Sequence, residues 1–168
     1  MIRTLILLAM LVTTHHVARA DEVCFTPPGP CAARIIAAIG AAQHQILLQQ
    51  YQFSARGIER ALEAAHARGV QVQALVDRSN EAHKHGVTAA LAASGVPVWV
   101  DDHPAIAHNK VLVIDERLVI GGSYNLTGAA EHRNAENVLF LDDPRIVRAF
   151  LDNWAARRAV SRPWEPPS

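Results

Sequence analysis

The sequence predicts an α/β domain in which a mixed β-sheet is flanked by helices. Stretches with the apolar spacing of a helix alternate with short apolar runs typical of strands, which is the pattern of layered α/β domains. Two of these runs are separated only by residues 115–118, which predicts an antiparallel pair within the sheet. The chain has no internal repeat and no linker, so the pattern indicates one domain per chain.

The predicted elements follow in chain order. Helices are expected at 31–42, 55–68, 87–94, 125–132 and 144–160. Strands are expected at 45–53, 70–77, 96–100, 106–114, 118–123 and 137–142. Ser54 is the expected N-cap of the second helix, and Gly69 is expected to end that helix. The tail SRPWEPPS is rich in proline, and we expect it to be irregular.

The first twenty residues have the organisation of a cleavable export signal. Arg3 precedes an apolar run from Leu5 to Val12, and the small-residue end Ala18-Arg19-Ala20 predicts cleavage before Asp21. An uncleaved anchor lying in the membrane interface is the alternative. The expected organisation is a signal peptide over residues 1–20 and a domain over 21–168, with a periplasmic or secreted product.

Charge and cysteine content limit the partners and the compartment. The chain has 16 Lys and Arg against 16 Asp and Glu, and removal of Arg3 and Arg19 would leave 14 against 16. No overall basic field therefore favours nucleic acid, so a polyanion would need a local site. In an oxidising compartment Cys24 and Cys31 are expected to form a disulfide that pins the N-terminal arm. Two free thiols in a frayed arm are the alternative.

The stretch HNKVLVIDERLVIGGSYN brings together the residue types needed to handle a phosphate. His108 and Lys110 lie two residues apart, as do Ser123 and Asn125, so each pair shares one face of an extended strand. If residues 115–118 form the turn, His108 faces Asn125 and Lys110 faces Ser123. Histidine can transfer a proton or attack near neutral pH, while lysine, serine and asparagine donate hydrogen bonds to phosphate oxygens. Each residue taken alone also has an ordinary structural explanation.

The order His-x-Lys, four residues, Asp, six residues, Gly-Ser-x-Asn resembles the signature of the phospholipase D superfamily. The matching positions are His108, Lys110, Asp115, Gly122, Ser123 and Asn125. Glu136, in NAENVLF, stands where the small bacterial nucleases of the superfamily carry an acidic residue, and residues 51–77 also resemble their N-terminal half.

The resemblance implies a phospholipase D-like fold and a two-step reaction. His108 would be the nucleophile that forms a phosphohistidine, and Lys110, Ser123 and Asn125 would bind the phosphate. Glu136 would orient the imidazole, and Asp115, although part of the catalytic signature, would be more structural than catalytic. The resemblance implies no metal and no cofactor. Asp101, Asp102 and His103 could be imagined with His108 as a metal cluster, but irregular spacing and Pro104 favour a solvated loop.

The chain contains a single His-x-Lys, whereas the two-step displacement needs a second group to protonate the leaving oxygen. Short members of the superfamily pair two identical chains about a two-fold axis, so we expect an obligate homodimer with His108 of both chains in one site. The predicted function is a phosphodiesterase, best matched by a nuclease with little sequence preference. A phospholipase acting on phosphatidyl head groups and a catalytically silent phosphate-binding module are the alternatives.

Overall fold

The structure is a computed structural model that describes residues 21–82 and 86–166, so the predicted signal peptide lies outside the described residues. Within these two ranges the strands are β1 (Glu22–Thr26), β2 (Gln45–Gln50), β3 (Gln71–Asp77), β4 (Val98–Asp101), β5 (Lys110–Ile114), β6 (Leu118–Gly122), β7 (Glu136–Leu141) and β8 (Arg162–Pro163). The α-helices are α1 (Cys31–Ala41), α2 (Arg56–Ala67), α3 (Val87–Ala93), α4 (Gly128–His132) and α5 (Pro144–Val160). A 3-10 helix covers Arg78–Ala82.

The described strands form one mixed sheet in the order β1-β7-β6-β5-β2-β3-β4-β8. β2, β3 and β4 run parallel because α2 and α3 provide the crossovers between them, and all other neighbouring strands are antiparallel. The predicted mixed α/β sheet in a single domain is confirmed.

The inner strands β2, β3 and β5 are buried on both faces of the sheet, as their near-continuous apolar sequences require. Alternate side chains of β5 show the division. Leu112 and Ile114 join the larger core beneath α1 and α2, whereas Val111 and Val113 join a second cluster with Trp154 of α5. Among the described residues, no helix combines the length and apolar character needed to cross a membrane.

The turn between β5 and β6 is one residue shorter than predicted. Ile114 pairs with Leu118, so three residues, 115–117, connect the strands. A one-residue change in a turn moves every cross-strand pairing by one position. The sequence prediction placed His108 opposite Asn125 and Lys110 opposite Ser123, which requires a four-residue turn. Both pairings are therefore wrong.

Three further details differ from the sequence prediction. Helix α2 begins at Arg56 with Ala55 at the N-cap and no side-chain cap, so Ser54 is not the capping residue. The tail is not wholly irregular, because Arg162 and Pro163 pair with β4. The segment before α1, where no strand was predicted, forms the edge strand β1, which pairs with β7.

The expected disulfide is present between Cys24 of β1 and Cys31, the first residue of α1. Their Cα atoms lie 5.7 Å apart, and both side chains are buried in the larger core. The disulfide thus links the edge strand β1 covalently to the start of α1.

Candidate active site

All the predicted catalytic residues except Asp115 lie at one end of the strands, because neighbouring strands there alternate in direction. β2 ends where β5 begins, and β6 ends where β7 begins. The loop before β5 carries His108, the segment after β6 carries Ser123 and Asn125, and β7 starts with Glu136. Strand direction therefore gathers residues that are up to 28 positions apart in the sequence.

His108 and Lys110 form the first half of the site. The Nζ atom of Lys110 donates to the His108 carbonyl oxygen at 2.9 Å and lies 3.2 Å from Nδ1 of the imidazole. The Tyr51 ring packs against the imidazole with a 4.5 Å separation of ring centroids, and Lys110 Nζ lies 5.1 Å from the centre of the same ring. The imidazole is exposed and stands beside a cation, which suits a nucleophile that receives an anionic substrate.

The loop that carries His108 is anchored by a buried carboxylate. Asp77, at the end of β3, accepts hydrogen bonds from the backbone N–H groups of Ala107 and Ser79. Burial alone would raise the pKa of Asp77, but hydrogen bonds from Ser79 and Ala107 outweigh it and lower the pKa. A charged Asp77 therefore fixes the residue directly before His108.

Ser123, Glu136 and their neighbours form the second half. The Ser123 hydroxyl donates to the Glu136 carboxylate and accepts from the backbone N–H of Asn137 at 3.1 Å. Asn134 donates to the other carboxylate oxygen of Glu136 at 2.9 Å. Within the described chain Glu136 is therefore bound to Ser123 and Asn134, and the structure does not show the contact with the His108 imidazole that the resemblance implied.

Gly122 makes this arrangement possible. Its φ of +143° lies in a region that other residues rarely adopt, and a Cβ atom there would lie 2.4 Å from the carbonyl oxygen of Asn137. Only glycine allows β6 to approach β7 this closely while turning Ser123 toward Glu136.

Asn125 lies beside the segment that follows β2, which the sequence prediction did not single out. Its Nδ2 atom donates to Oε1 of Gln52 at 3.4 Å, whereas its Oδ1 atom is buried and has no hydrogen-bond partner among the described residues. Tyr51 contacts His108 and the adjacent Gln52 contacts Asn125, so the segment directly after β2 connects the two halves of the site. The sequence signal that could have identified Tyr51 and Gln52 is their position directly after a buried apolar run.

The two halves also interact electrostatically. Burial lowers the pKa of Lys110, and attraction to the Glu136 carboxylate opposes that decrease. Lys110 is therefore partly desolvated, which strengthens its interaction with an anion. Glu136 lies near enough to favour the protonated form of Lys110.

Asp115 lies outside this cluster in the described chain. It follows the end of β5 that is remote from His108, and its carboxylate accepts hydrogen bonds from the backbone N–H groups of Gln43, His44 and Gln45. Its backbone is left-handed, with φ of 52°, a conformation that aspartate tolerates better than most residues. In this protomer Asp115 holds the turn against the start of β2.

Asp101 and Asp102, the acidic residues before His108, are paired with arginines. The buried Asp101 forms an ion pair with Arg157, and Asp102 forms a solvent-exposed ion pair with Arg162. Both carboxylates therefore hold α5 and β8 against β4, and neither is directed toward His108 by these contacts.

A polar groove opens beside Asn125. Its walls come from the segment after β2, the 3-10 helix and the start of α4, and its lining among the described residues carries no formal charge. The lining residues are Gln52, Phe53, Ser54, Ser79, Asn80 and Thr127.

An exposed imidazole, a partly buried ammonium group, a hydroxyl and a carboxamide together can attack a phosphodiester and stabilise its non-bridging oxygens. The fold and the site thus define a hydrolase of phosphodiester bonds. Residues 35–157 match the family model described as cardiolipin synthase, PLD-like domain. The chain belongs to the phospholipase D superfamily.

Individual relatives agree with this assignment. A protein named phospholipase D from Rickettsia conorii is 39% identical over 161 residues, covering 94% of this chain and 80% of the relative. The crystal structure of the phospholipase D family member Nuc from Salmonella typhimurium is similar with a TM-score of 0.80 and 33% identity, covering 87% of this chain and 98% of Nuc. NucT from Helicobacter pylori, at 22% identity, shares the fold with a TM-score of 0.78 over 86% of this chain and 98% of NucT.

Proposed function

We propose that this protein is a metal-independent endonuclease with little sequence preference, hydrolysing DNA or RNA through a phosphohistidine intermediate. The observation that carries the proposal is the hydrogen-bonding groove that begins beside Asn125, whose described lining residues are uncharged. Hydroxyl and amide groups suit the sugar and base of a nucleotide next to the scissile phosphate. A choline head group would instead favour several aromatic faces or a carboxylate, whereas the described part of the groove lining has one buried aromatic ring and no carboxylate.

Two further observations support a nucleic acid substrate. Arg78 is exposed and donates to the carbonyl oxygen of Ala105, three residues before His108, so a cation lies near the site in a chain with no overall basic charge. The chain also has the small, single-motif architecture of the bacterial nucleases that its sequence resembles, and it covers 98% of Nuc.

The proposed reaction has two displacements at phosphorus. The His108 imidazole attacks, a P–N bond forms, and the P–O bond to the leaving strand breaks. Lys110, Ser123 and Asn125 stabilise charge on the non-bridging oxygens, and His108 of the partner subunit protonates the leaving oxygen. Water, deprotonated by the same partner imidazole, then attacks phosphorus and releases His108.

This reaction requires a homodimer with the active site at the two-fold interface, because the described chain supplies one His-x-Lys. Subunit mixing tests this directly. When wild-type chains are unfolded and refolded with an excess of His108→Asn chains, activity should follow the square of the wild-type fraction, since each site needs two histidines. Activity proportional to the first power of that fraction would exclude a shared site.

A phospholipase is the second candidate. The Rickettsia relative is named phospholipase D, and an exposed apolar patch also favours this candidate. Val23, Phe25 and Leu139 are exposed on one face of the sheet edge formed by β1 and β7. Phe25 pairs with Asn137, whose N–H binds Ser123, so this apolar patch lies beside the site and could contact a lipid surface.

Two substrates separate the candidates. Purified protein in EDTA is incubated with supercoiled plasmid DNA and, separately, with phosphatidylcholine vesicles, with His108→Asn as the inactive control. We expect nicked plasmid without added metal and no release of choline. Choline release without nicking would establish the phospholipase, and no turnover of either substrate would favour a phosphate-binding module.

We also propose that the protein acts in the periplasm or outside the cell. The signal-like first twenty residues and the buried Cys24–Cys31 disulfide support this location. Protein recovered from the exported fraction should begin at Asp21.

A further inference from the structure

Tyr124 lies between two of the proposed phosphate ligands, Ser123 and Asn125, yet the proposed reaction does not use it. Its side chain is 4% exposed, and its hydroxyl donates to Oε2 of Glu131 at 2.7 Å. Burial and the Glu131 carboxylate both raise the pKa of Tyr124, so the hydroxyl remains protonated and able to donate. This hydrogen bond connects the phosphate-binding segment to α4.

Glu131 also binds the start of α1. The same Oε2 atom accepts the backbone N–H of Ala32 at 3.0 Å, and Ala32 follows Cys31 directly. This N–H belongs to the first turn of the helix, where it has no acceptor within the helix. The Glu131 carboxylate therefore contacts both the Tyr124 hydroxyl and the helix that carries half of the disulfide.

Cys24, the other cysteine of the disulfide, lies in β1, and β1 also contacts α4. Thr26, two residues after Cys24, donates its hydroxyl to the carbonyl oxygen of Ala130 at 2.8 Å and also lies 3.3 Å from that of Asn134. Asn134 in turn donates to Glu136. The bridge thus joins β1 and α1, each of which forms a hydrogen bond with α4.

We propose that Tyr124 and Glu131 are positioning residues for Ser123 and Asn125, and that the Cys24–Cys31 disulfide sustains their arrangement by fixing α1 against β1. Loss of the bridge allows the start of α1 to move from Glu131. The Tyr124–Glu131 pair then orients the phosphate-binding segment less well. Catalysis becomes dependent on the oxidation state of two cysteines outside the site.

A double-mutant cycle tests this coupling with bis(p-nitrophenyl) phosphate, a chromogenic phosphodiester that does not require the protein to be a nuclease. Tyr124→Phe keeps the ring and removes only the hydroxyl. We expect kcat/KM to fall about 3- to 10-fold, as for loss of one hydrogen bond, and inhibition by orthovanadate to weaken in parallel. The Cys24→Ala, Cys31→Ala protein should lose activity to a similar degree. Adding Tyr124→Phe to it should cause little further loss, because both changes act on one arrangement.

Two further variants separate positioning from general stability. Glu131→Gln retains an oxygen that can accept from Tyr124 and should keep most activity, whereas Glu131→Ala should reproduce the loss even if the cysteine variant folds poorly. Ser94→Ala removes a hydroxyl hydrogen bond at the end of α3 and should leave kcat/KM and vanadate inhibition unchanged. Full activity of Tyr124→Phe, or losses that multiply when the changes are combined, would overturn the proposal.

Discussion

The Nζ atom of Lys110 lies 3.2 Å from Nδ1 of His108. Burial lowers the pKa of this lysine, so the protonated side chain makes the folded protein less stable. This destabilisation is lost as the pH rises through the lowered pKa. The same deprotonation removes the cation that would stabilise the phosphate. Stability and activity should therefore respond in opposite directions when Lys110 loses its proton.

The first prediction concerns this alkaline limit. Activity should fall as the pH rises through the Lys110 pKa, at a pH below the ordinary lysine value of about 10.4. Arginine stays charged throughout this range, so Lys110→Arg should move the alkaline fall to higher pH even if its maximum rate is lower. Profiles of kcat/KM against pH for the two proteins check this. An unchanged alkaline limb in Lys110→Arg would assign it to another group.

The second prediction concerns Glu136, whose charge raises the pKa of Lys110. Glu136→Gln removes that attraction, so the Lys110 pKa should fall further and the alkaline limb should move toward acid. The side chain keeps its length and an acceptor for Ser123 or Asn134. The pH profile in low salt is the measurement, and 1 M salt should reduce the difference if it arises from charge. A shift toward alkali would contradict this electrostatic relationship.

The third prediction concerns the Ser123 hydroxyl. Ser123→Ala should raise the reaction barrier by about 1–2 kcal/mol, since one neutral donor to the phosphate is lost. The expected change is a lower kcat/KM for bis(p-nitrophenyl) phosphate in a folded protein. Ser161→Ala, which removes a serine hydrogen bond to Arg157 at the end of α5, is the matched control. Equal rates in both variants would remove Ser123 from the proposed set of phosphate ligands.

The fourth prediction concerns Asp115. Hydrogen bonds to three backbone N–H groups outweigh burial and lower its pKa, so its charged form stabilises the fold. Asp115→Asn should reduce the free energy of unfolding by about 2 kcal/mol near neutral pH. The stabilisation is present above the ordinary aspartate pKa and is lost as the pH falls through the lowered value, so the variants should converge in acid. Urea unfolding at several pH values measures this difference, which would be independent of pH if the charge were unimportant.

The fifth prediction concerns the disulfide, which closes a short loop with a sequence separation of 7. Replacing Cys24 and Cys31 by alanine should reduce the free energy of unfolding by about 2–3 kcal/mol, the low end of the range for native bridges, because short loops constrain the unfolded chain least. Denaturant unfolding of the oxidised protein and the variant gives the difference. A change below about 0.5 kcal/mol would mean that native packing alone holds β1 in place.

Local patterns were sufficient to predict most of the fold. Helix α5 was recognised from Pro144 onward because proline at a helix start and the following apolar spacing are determined within one short segment. β1 was missed because its pairing with β7 depends on residues more than 100 positions away, and its sequence contains only five strand residues. A short edge strand has little signal until its partner is known.

The sequence alone determined the chemistry available to the site, since the identity and spacing of His108, Lys110, Ser123 and Asn125 carry the superfamily signature. Only the tertiary structure decided how these residues are connected. It brought Gln52 to Asn125, Glu131 to Tyr124 and Asp77 to Ala107, and it separated Asp115 from the cluster. The physical reason is that strand order and direction set the distances between segments remote in the sequence, whereas a motif sets only which side chains are present within a single segment.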